Sequence, residues 1–256
     1  MTRAASPDLA TGTPPVNEPS RRVDEDRVLL VVPAYNEEAN IAAVLVEIAS
    51  LCPACDAVVV DDGSTDATLA RVVPPATCLR HICNLGIGAA VQTGVRYARD
   101  HGYAFAVQVD GDGQHPPDQV EALLTAYRER PANVIIGSRY LGPKSFQSTL
   151  GRRFGSRVIG WTLHRLYGGP LVTDPTSGMR LLDRQAIAFF AVRYPHDYPE
   201  PISLAWALSA GLTVREVPVT MRARAAGESS IRGIRRLSYM IRVVSYILLS
   251  RAGRRD

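Results

Sequence analysis

The feature that most constrains this chain is a repeated unit: a short continuous apolar run, a polar loop, then an apolar stripe at helical spacing. VLLVV at 28 to 32 ends at Pro33, AVVV at 57 to 60 runs into DDGSTDAT, a short run near Leu79 to Ile82 precedes NLGIG, and AFAVQV at 104 to 109 runs into DGDGQ. Continuous rather than alternating runs are how strands covered on both faces read. Between the first two, Ile41, Val44, Leu45 and Ile48 predict a helix over 38–50. The recurring unit predicts an α/β fold with a mostly parallel, Rossmann-like sheet and helices on both faces. In such sheets the ligand crevice lies outside the carboxyl ends of the strands, so PAYNEE, DDGSTD, NLGIG and DGDGQH are expected to meet at one edge.

A chain of 256 residues buries roughly three quarters of its unfolded surface and needs no staples. Residues 1–26 are rich in Pro, Thr, Ser and charge and read as a disordered leader without the apolar segment of a signal peptide. Residues 27–230 are expected to form one domain, with a ligand-binding half over 27–118 and a mixed second half over 119–230. In that second half a helix is expected over 119–129, a strand over 134–139, a helix through RRFGSRVIGWTLHRLYG, a loop at DPTSGMR, a helix from LLDRQAIAFFAV, a helix closed by Gly211, and a strand at TVREVPVTM. Residues 231–256 read as a basic amphipathic helix. Its apolar stripe suits packing on the domain or on a second subunit, or an anionic membrane surface. No run of about 20 apolar residues occurs, so no membrane span is expected. The four cysteines, Cys52, Cys55, Cys78 and Cys83, read as ordinary buried thiols rather than a zinc knuckle, because strand placement separates them.

Asp110 and Asp112 alternate with Gly111 and Gly113 at a strand end. Two carboxylates repel unless a cation lies between them, and glycines let a ligand approach the backbone. The pair therefore suits a divalent ion carrying phosphate oxygens. A crevice with Glu37, Asp61, Asp62, Asp110 and Asp112 admits a diphosphate only with added positive charge, which a metal, Arg139, Arg222 and Arg224 would supply. PAYNEE has no glycine, which argues against a dinucleotide fold, and no GxxxxGK[ST] occurs. Formal charge is +4, and no nucleic-acid partner is expected. His115 reads as a support of the acidic loop.

The ordered series VVPAYNEEANI, VVDDGSTDAT, NLGIGAAVQTGVRYA, VDGDGQHPPD, IGSRYLG, DPTSGMR and EVPVTMRARAAGESSI resembles the inverting family 2 glycosyltransferases. It is most similar to the bacterial branch near dolichyl-phosphate mannose synthase and other polyprenyl-phosphate glycosyltransferases. The resemblance implies a GT-A fold, an Mg2+ or Mn2+ cofactor and a UDP- or GDP-sugar donor. It implies that Pro33, Ala34, Tyr35, Glu37, Asp61, Asp62 and Gly86 hold the nucleotide, and that Asp110, Asp112 and Gln114 form the metal side. It implies Arg139 near the diphosphate, a mobile lid with Arg222, Arg224, Gly227 and Ser229, and acceptor contacts from Arg152, Ser156 and Glu200. The sequence departs from the family pattern at Ile87, where many relatives carry a cation, and at Ile202.

The implied reaction is direct displacement at the anomeric carbon, in cell-envelope glycan synthesis. A polyprenyl phosphate acceptor brings its own anionic oxygen; a saccharide hydroxyl needs a base, for which Asp174 is the candidate. Asp174 also suits a helix cap or an ion pair with Arg180. A scaffold that only binds sugar nucleotide would lack a metal aspartate, the GSR arginine or the RxxGxS loop. A cytoplasmic enzyme peripheral to the inner face of the plasma membrane follows, with a small membrane partner protein or a homo-oligomer as further companions.

Overall fold

The computed structural model describes residues 26–141, 150–222 and 234–252. Seven strands form one sheet: β1 (Val28–Ala34), β2 (Asp56–Asp61), β3 (Thr77–Arg80), β4 (Phe105–Gln108), β5 (Val134–Ser138), β6 (Arg180–Leu182) and β7 (Val214–Pro218). Their order is β3-β2-β1-β4-β6-β5-β7. β1 pairs in parallel with β2 and β4, β2 with β3, and β5 with β7. β6 alone runs antiparallel, between β4 and β5. The expected α/β sheet is mostly parallel, with this one reversed strand in its second half.

Alternation along β1 sends its side chains to two cores. Val28, Leu30 and Val32 join α1 (Ile41–Leu51) and α3 (Gln119–Glu129) through Ile41, Val44, Leu45, Ile48, Val120 and Leu123. Leu29 and Val31 face α2 (Ile87–Asp100), through Val91 and Val95. That second core also takes α4 (Leu150–Tyr167), α5 (Arg184–Val192), α6 (Pro199–Ser209) and α7 (Ile234–Ala252). Covered on both sides, β1 is buried along its whole length, which is why it reads as an unbroken apolar run.

Three expected elements differ. The helix expected from residue 38 begins at Ile41, because the NEE backbone bonds to the DDGSTD loop instead: Asn36 N donates to Ser64 Oγ, Glu37 N to Thr68 Oγ1 and Glu38 N to Asp66 Oδ2. After DDGSTDAT there is only a 3-10 turn, Leu69–Arg71, ahead of Pro74 and Pro75. RLL at 180 to 182 is not helical. It is β6, and α5 starts behind Asp183, whose side chain caps it by accepting from Ala186 N at 2.8 Å. A three-residue strand is too short to show a period.

The cysteines also differ from expectation. Cys52 is buried and donates to Pro117 O at 3.2 Å, whereas Cys55 and Cys78 are half-buried and Cys83 is exposed. Helix α7 packs on the domain through Val243 and Ile247, with Tyr167 Oη donating to Ile247 O at 2.9 Å and Tyr198 set edge-on to Tyr239. No helix among the described residues is long and apolar enough to cross a membrane.

Candidate active site

Parallel register brings the carboxyl ends of β1, β2 and β4 level: Ala34 lies opposite Asp61, and Val31 opposite Gln108. Val109 N and Gly111 N then bond to Val31 O and Pro33 O, carrying β4's direction into the DGDG loop. A side chain at position 111 would stand 3.0 Å from Pro33 O, so glycine permits this approach. The result is an open cleft of about 390 Å³ lined by Pro33, Ala34, Tyr35, Glu37, Asp62, Gly86, Asp110 and Asp112. Asn84, Ile87, Ala90 and Gly111 also line it, and sequence reasoning did not select Asn84 or Ala90.

Hydrogen bonds from nearby backbone and side-chain groups hold most of the donor-side carboxylates. Asp62, nearly inaccessible, accepts from Leu85 N at 2.9 Å, Gly86 N at 2.8 Å and His81 Nδ1 at 2.7 Å. Gly86 sits at φ 91°, a left-handed value that favours glycine, and its N–H thereby points at Asp62 as α2 begins. Asp61 accepts from Ser64 N, but its buried Oδ2 has no hydrogen bond and lies 3.3 Å from Arg80 Nε. Asp61 does not line the cleft. Asp110 Oδ1 accepts from Gln108 Nε2 at 3.0 Å, and its N–H donates to the buried His115 Nδ1 at 3.1 Å. Asp112 Oδ1 accepts from Gln114 N at 3.0 Å, and Gln114 O accepts from Arg222 N.

On the other side the charges pair with each other. Asp174 is fully buried and takes Arg139 Nε and Nη2 at 2.7 Å each, plus Arg139 N at 3.1 Å. Its partner is Arg139, not Arg180. Burial works against the Arg139 charge, but the Asp174 carboxylate outweighs it and raises the guanidinium's pKa. Glu216 on β7 fixes the loop, accepting from Thr173 N, Thr173 Oγ1 and Asp174 N at 2.6 to 2.9 Å. Arg180 is buried and donates to Ser177 O, Pro175 O and Ser203 Oγ. Burial lowers its pKa and raises that of Glu200 nearby, while Tyr194 is pushed up to about 12 by burial. Gly178 closes the loop on the acidic site: a Cβ there would meet Gln108 Nε2 at 3.0 Å and Asp110 Oδ1 at 3.3 Å. Gln108, Gly178 and Glu216 escaped the sequence reading, which named Arg180 only as an alternative partner of Asp174; of these, only the polar Gln108 inside an apolar run signalled itself.

Of the acceptor pair on α4, Arg152 is exposed and Ser156 buried, so the two do not present one face to solvent. The Arg222 guanidinium bonds to Glu47 on α1 at 2.7 Å rather than reaching the cleft. Arg224, Gly227 and Ser229 lie outside the described residues. Thus the described lining of the cleft contains four carboxylates and neither lysine nor arginine. Such a surface repels a diphosphate unless a cation enters with it. No group of three or more His, Cys, Asp and Glu side chains gathers as a metal set among the described residues. Asp110 and Asp112 with diphosphate oxygens nevertheless fit a hard cation that takes oxygen ligands and keeps some water.

A mixed sheet whose parallel half ends in an acidic cleft of this kind is the architecture of a GT-A glycosyltransferase. The sequence profile of glycosyl transferase family 2 matches residues 29–189, and the chain belongs to this family of enzymes. It is 30% identical over 238 residues to the polyprenol monophosphomannose synthase of Mycolicibacterium smegmatis, covering 89% of each chain. It is 31% identical over 221 residues to the undecaprenyl-phosphate mannosyltransferase of Micrococcus luteus, covering 81% of this chain and 88% of that one. Its fold is similar to that of glucosyl-3-phosphoglycerate synthase from Mycobacterium tuberculosis in complex with Mn2+, UDP and glucosyl-3-phosphoglycerate. The TM-score is 0.66 at 22% identity, over 90% of this chain and 81% of that one.

Proposed function

We propose that this enzyme transfers a sugar, with inversion, from a UDP- or GDP-linked donor to a polyprenyl phosphate during cell-envelope glycan synthesis. The names of the two mannosyl-transferring relatives support the acceptor. The observation that carries it is the state of Asp174. That carboxylate, the candidate base for a hydroxyl acceptor, is inaccessible and bonded at both oxygens to Arg139. An acceptor whose oxygen is already anionic needs no base, so this pairing favours a lipid phosphate over a saccharide hydroxyl.

The donor nucleotide lies along Pro33, Ala34, Tyr35, Glu37 and Asp62, with its diphosphate toward Asp110 and Asp112. Asp110, Asp112 and Gln114 would hold an Mg2+ or Mn2+ ion, which would supply the positive charge that the leaving diphosphate needs. Gln108 and His115 fix Asp110, and Gln114 N fixes Asp112, so the carboxylates are oriented before the donor arrives. The Arg139–Asp174 pair keeps a guanidinium rigid beside this site. Arg224, Gly227 and Ser229 are assigned to donor binding, with Arg152 and Glu200 on the acceptor side. The enzyme works at the inner face of the plasma membrane, in the cytoplasm.

The test supplies radiolabelled UDP- and GDP-sugars with polyprenyl phosphate in detergent, with Mg2+ or Mn2+. Label moving into the organic phase is expected, and the active nucleotide names the base. Transfer confined to a soluble glycan rejects the lipid acceptor, and full activity in chelator rejects the metal.

A further inference from the structure

Helices α4 and α7 lie side by side and run the same way. A Cβ on Gly155 would sit 3.7 Å from Met240 Sδ, and Tyr167 Oη reaches Ile247 O twelve residues further along α4. Their inward faces, Ile159 and Leu163 from α4 and Val243 and Ile247 from α7, enter the same core. Their opposite faces therefore turn outward together. Phe154 and Trp161 are seven residues apart on α4, and Ile241 and Leu248 are seven apart on α7. Each pair occupies one helical face, and all four side chains are between 49% and 63% exposed. Four large apolar side chains on two neighbouring helices form a patch that single exposed residues do not.

The charges that these two helices carry are of one sign. Helix α4 carries Arg152, Arg153, Arg157 and Arg165, and α7 carries Arg235, Arg236, Arg242 and Arg251; neither has an aspartate or glutamate. Arg157, Arg165 and Arg242 are exposed. A second copy of the chain docking here through a two-fold axis would set these arginines against their own equivalents with no carboxylate on either helix to answer them. An anionic bilayer answers them with phosphates, accepts the apolar side chains at the acyl boundary, and suits a tryptophan at the headgroup level.

We infer that the outward face of α4 and α7 is a docking surface for an anionic phospholipid bilayer, with Phe154, Trp161, Ile241 and Leu248 entering the headgroup region and the exposed Arg157, Arg165 and Arg242 meeting lipid phosphates. The surface stands on its own geometry, while its purpose rests on the lipid-acceptor reading, since docking here carries α4 and the neighbouring cleft to where a polyprenyl phosphate lies. The enzyme then gathers its acceptor from the membrane plane without a spanning segment of its own among the described residues.

The full chain is mixed with vesicles of phosphatidylcholine alone or with phosphatidylglycerol. Co-sedimentation with the anionic vesicles only, weakened by salt, is expected. Brominated lipid is expected to quench Trp161, read by comparing wild type with Trp161→Phe, because Trp206 on α6 is the second tryptophan. The variants Phe154→Ser/Trp161→Ser and Ile241→Ser/Leu248→Ser each lower partitioning at least about tenfold, as lost apolar burial requires. Their unfolding temperature stays the same, because the four side chains are exposed. Both variants also retain transfer to a short-chain, water-soluble polyprenyl phosphate. Binding by both variants equal to wild type, absence of quenching at Trp161, or a wild-type dimer that the variants split without changing vesicle binding each overturns the docking surface. Vesicle binding with no transfer to any polyprenyl phosphate leaves docking standing and defeats the acceptor reading instead.

Discussion

The two sides of the site hold their charges by opposite means. On the donor side, Asp62 and Asp112 accept hydrogen bonds from backbone N–H groups and line an open cleft. On the other side, Asp174 and Arg139 neutralise each other out of water, and Glu216 ties their loop to β7. Backbone donors orient a carboxylate without cancelling its charge, so the donor side remains able to attract a cation. A buried ion pair cancels both charges and fixes geometry instead. One side is therefore built to bind charge and the other to hold shape, and substitutions on the two sides should separate activity from stability.

The largest separation is expected at Asp112. Asp112→Ala should reduce transfer at least about a hundredfold, the scale of losing a group that supports charge development at the leaving oxygen. The unfolding temperature without metal should move little, since the side chain lies at the cleft. Transfer rates with Mg2+ or Mn2+, together with thermal unfolding, check both halves; a large drop in unfolding temperature would place Asp112 with the shape-holding groups.

Asp174→Ala inverts that pattern. It leaves the Arg139 guanidinium buried without its carboxylate, which costs about 3–5 kcal/mol. Adding Arg139→Met should restore part of this loss, because no charge then remains unpaired. Denaturant unfolding of both singles and the double measures the coupling, and additive losses would show that the two residues act separately. Glu216→Gln is a smaller version of the same change. It turns an amide NH2 toward the N–H of Thr173 or Asp174 and should cost about 1–2 kcal/mol, with the nucleotide affinity of the cleft unchanged by titration calorimetry.

This division also governs what was legible in the sequence. The donor side follows a local rule: each of its loops comes directly after a strand, so finding β1, β2 and β4 places Tyr35, Asp62 and Asp110 together without tertiary information. The other side depends on partners far apart in the chain, such as Arg139 with Asp174, Thr173 with Glu216 and Arg180 with Ser203. Charge type alone could not choose between Arg139 and Arg180 for Asp174, and no periodicity marks which of two arginines lies against a loop. The same limit hid β6, whose three residues owe their extended form to neighbours on both sides. For α7 the apolar stripe was visible, but whether it is buried depended on α4. The answer is divided, with Val243 and Ile247 inside and Ile241 and Leu248 outside.

The smallest expected effect tests whether the boundary between the two sides is as sharp as the charges suggest. Gln108 stands on it: its backbone lies opposite Arg180 across β4 and β6, and its side chain donates to Asp110 Oδ1. A neutral amide there orients Asp110 without adding charge, so Gln108 is a positioning residue for the acidic loop. Gln108→Met keeps volume and packing but removes the donor, and Asp110 becomes free to turn. The expected outcome is a severalfold rise in the Mg2+ or Mn2+ concentration needed for half-maximal transfer, corresponding to about 1 kcal/mol for one neutral hydrogen bond. The rate at saturating metal should change less, and Gln108→Glu, which adds a charge beside Asp110, should not rescue it. A purely structural role for Gln108 would instead lower the unfolding temperature and leave the metal dependence alone, and that result would assign Gln108 to the shape-holding side with Arg180.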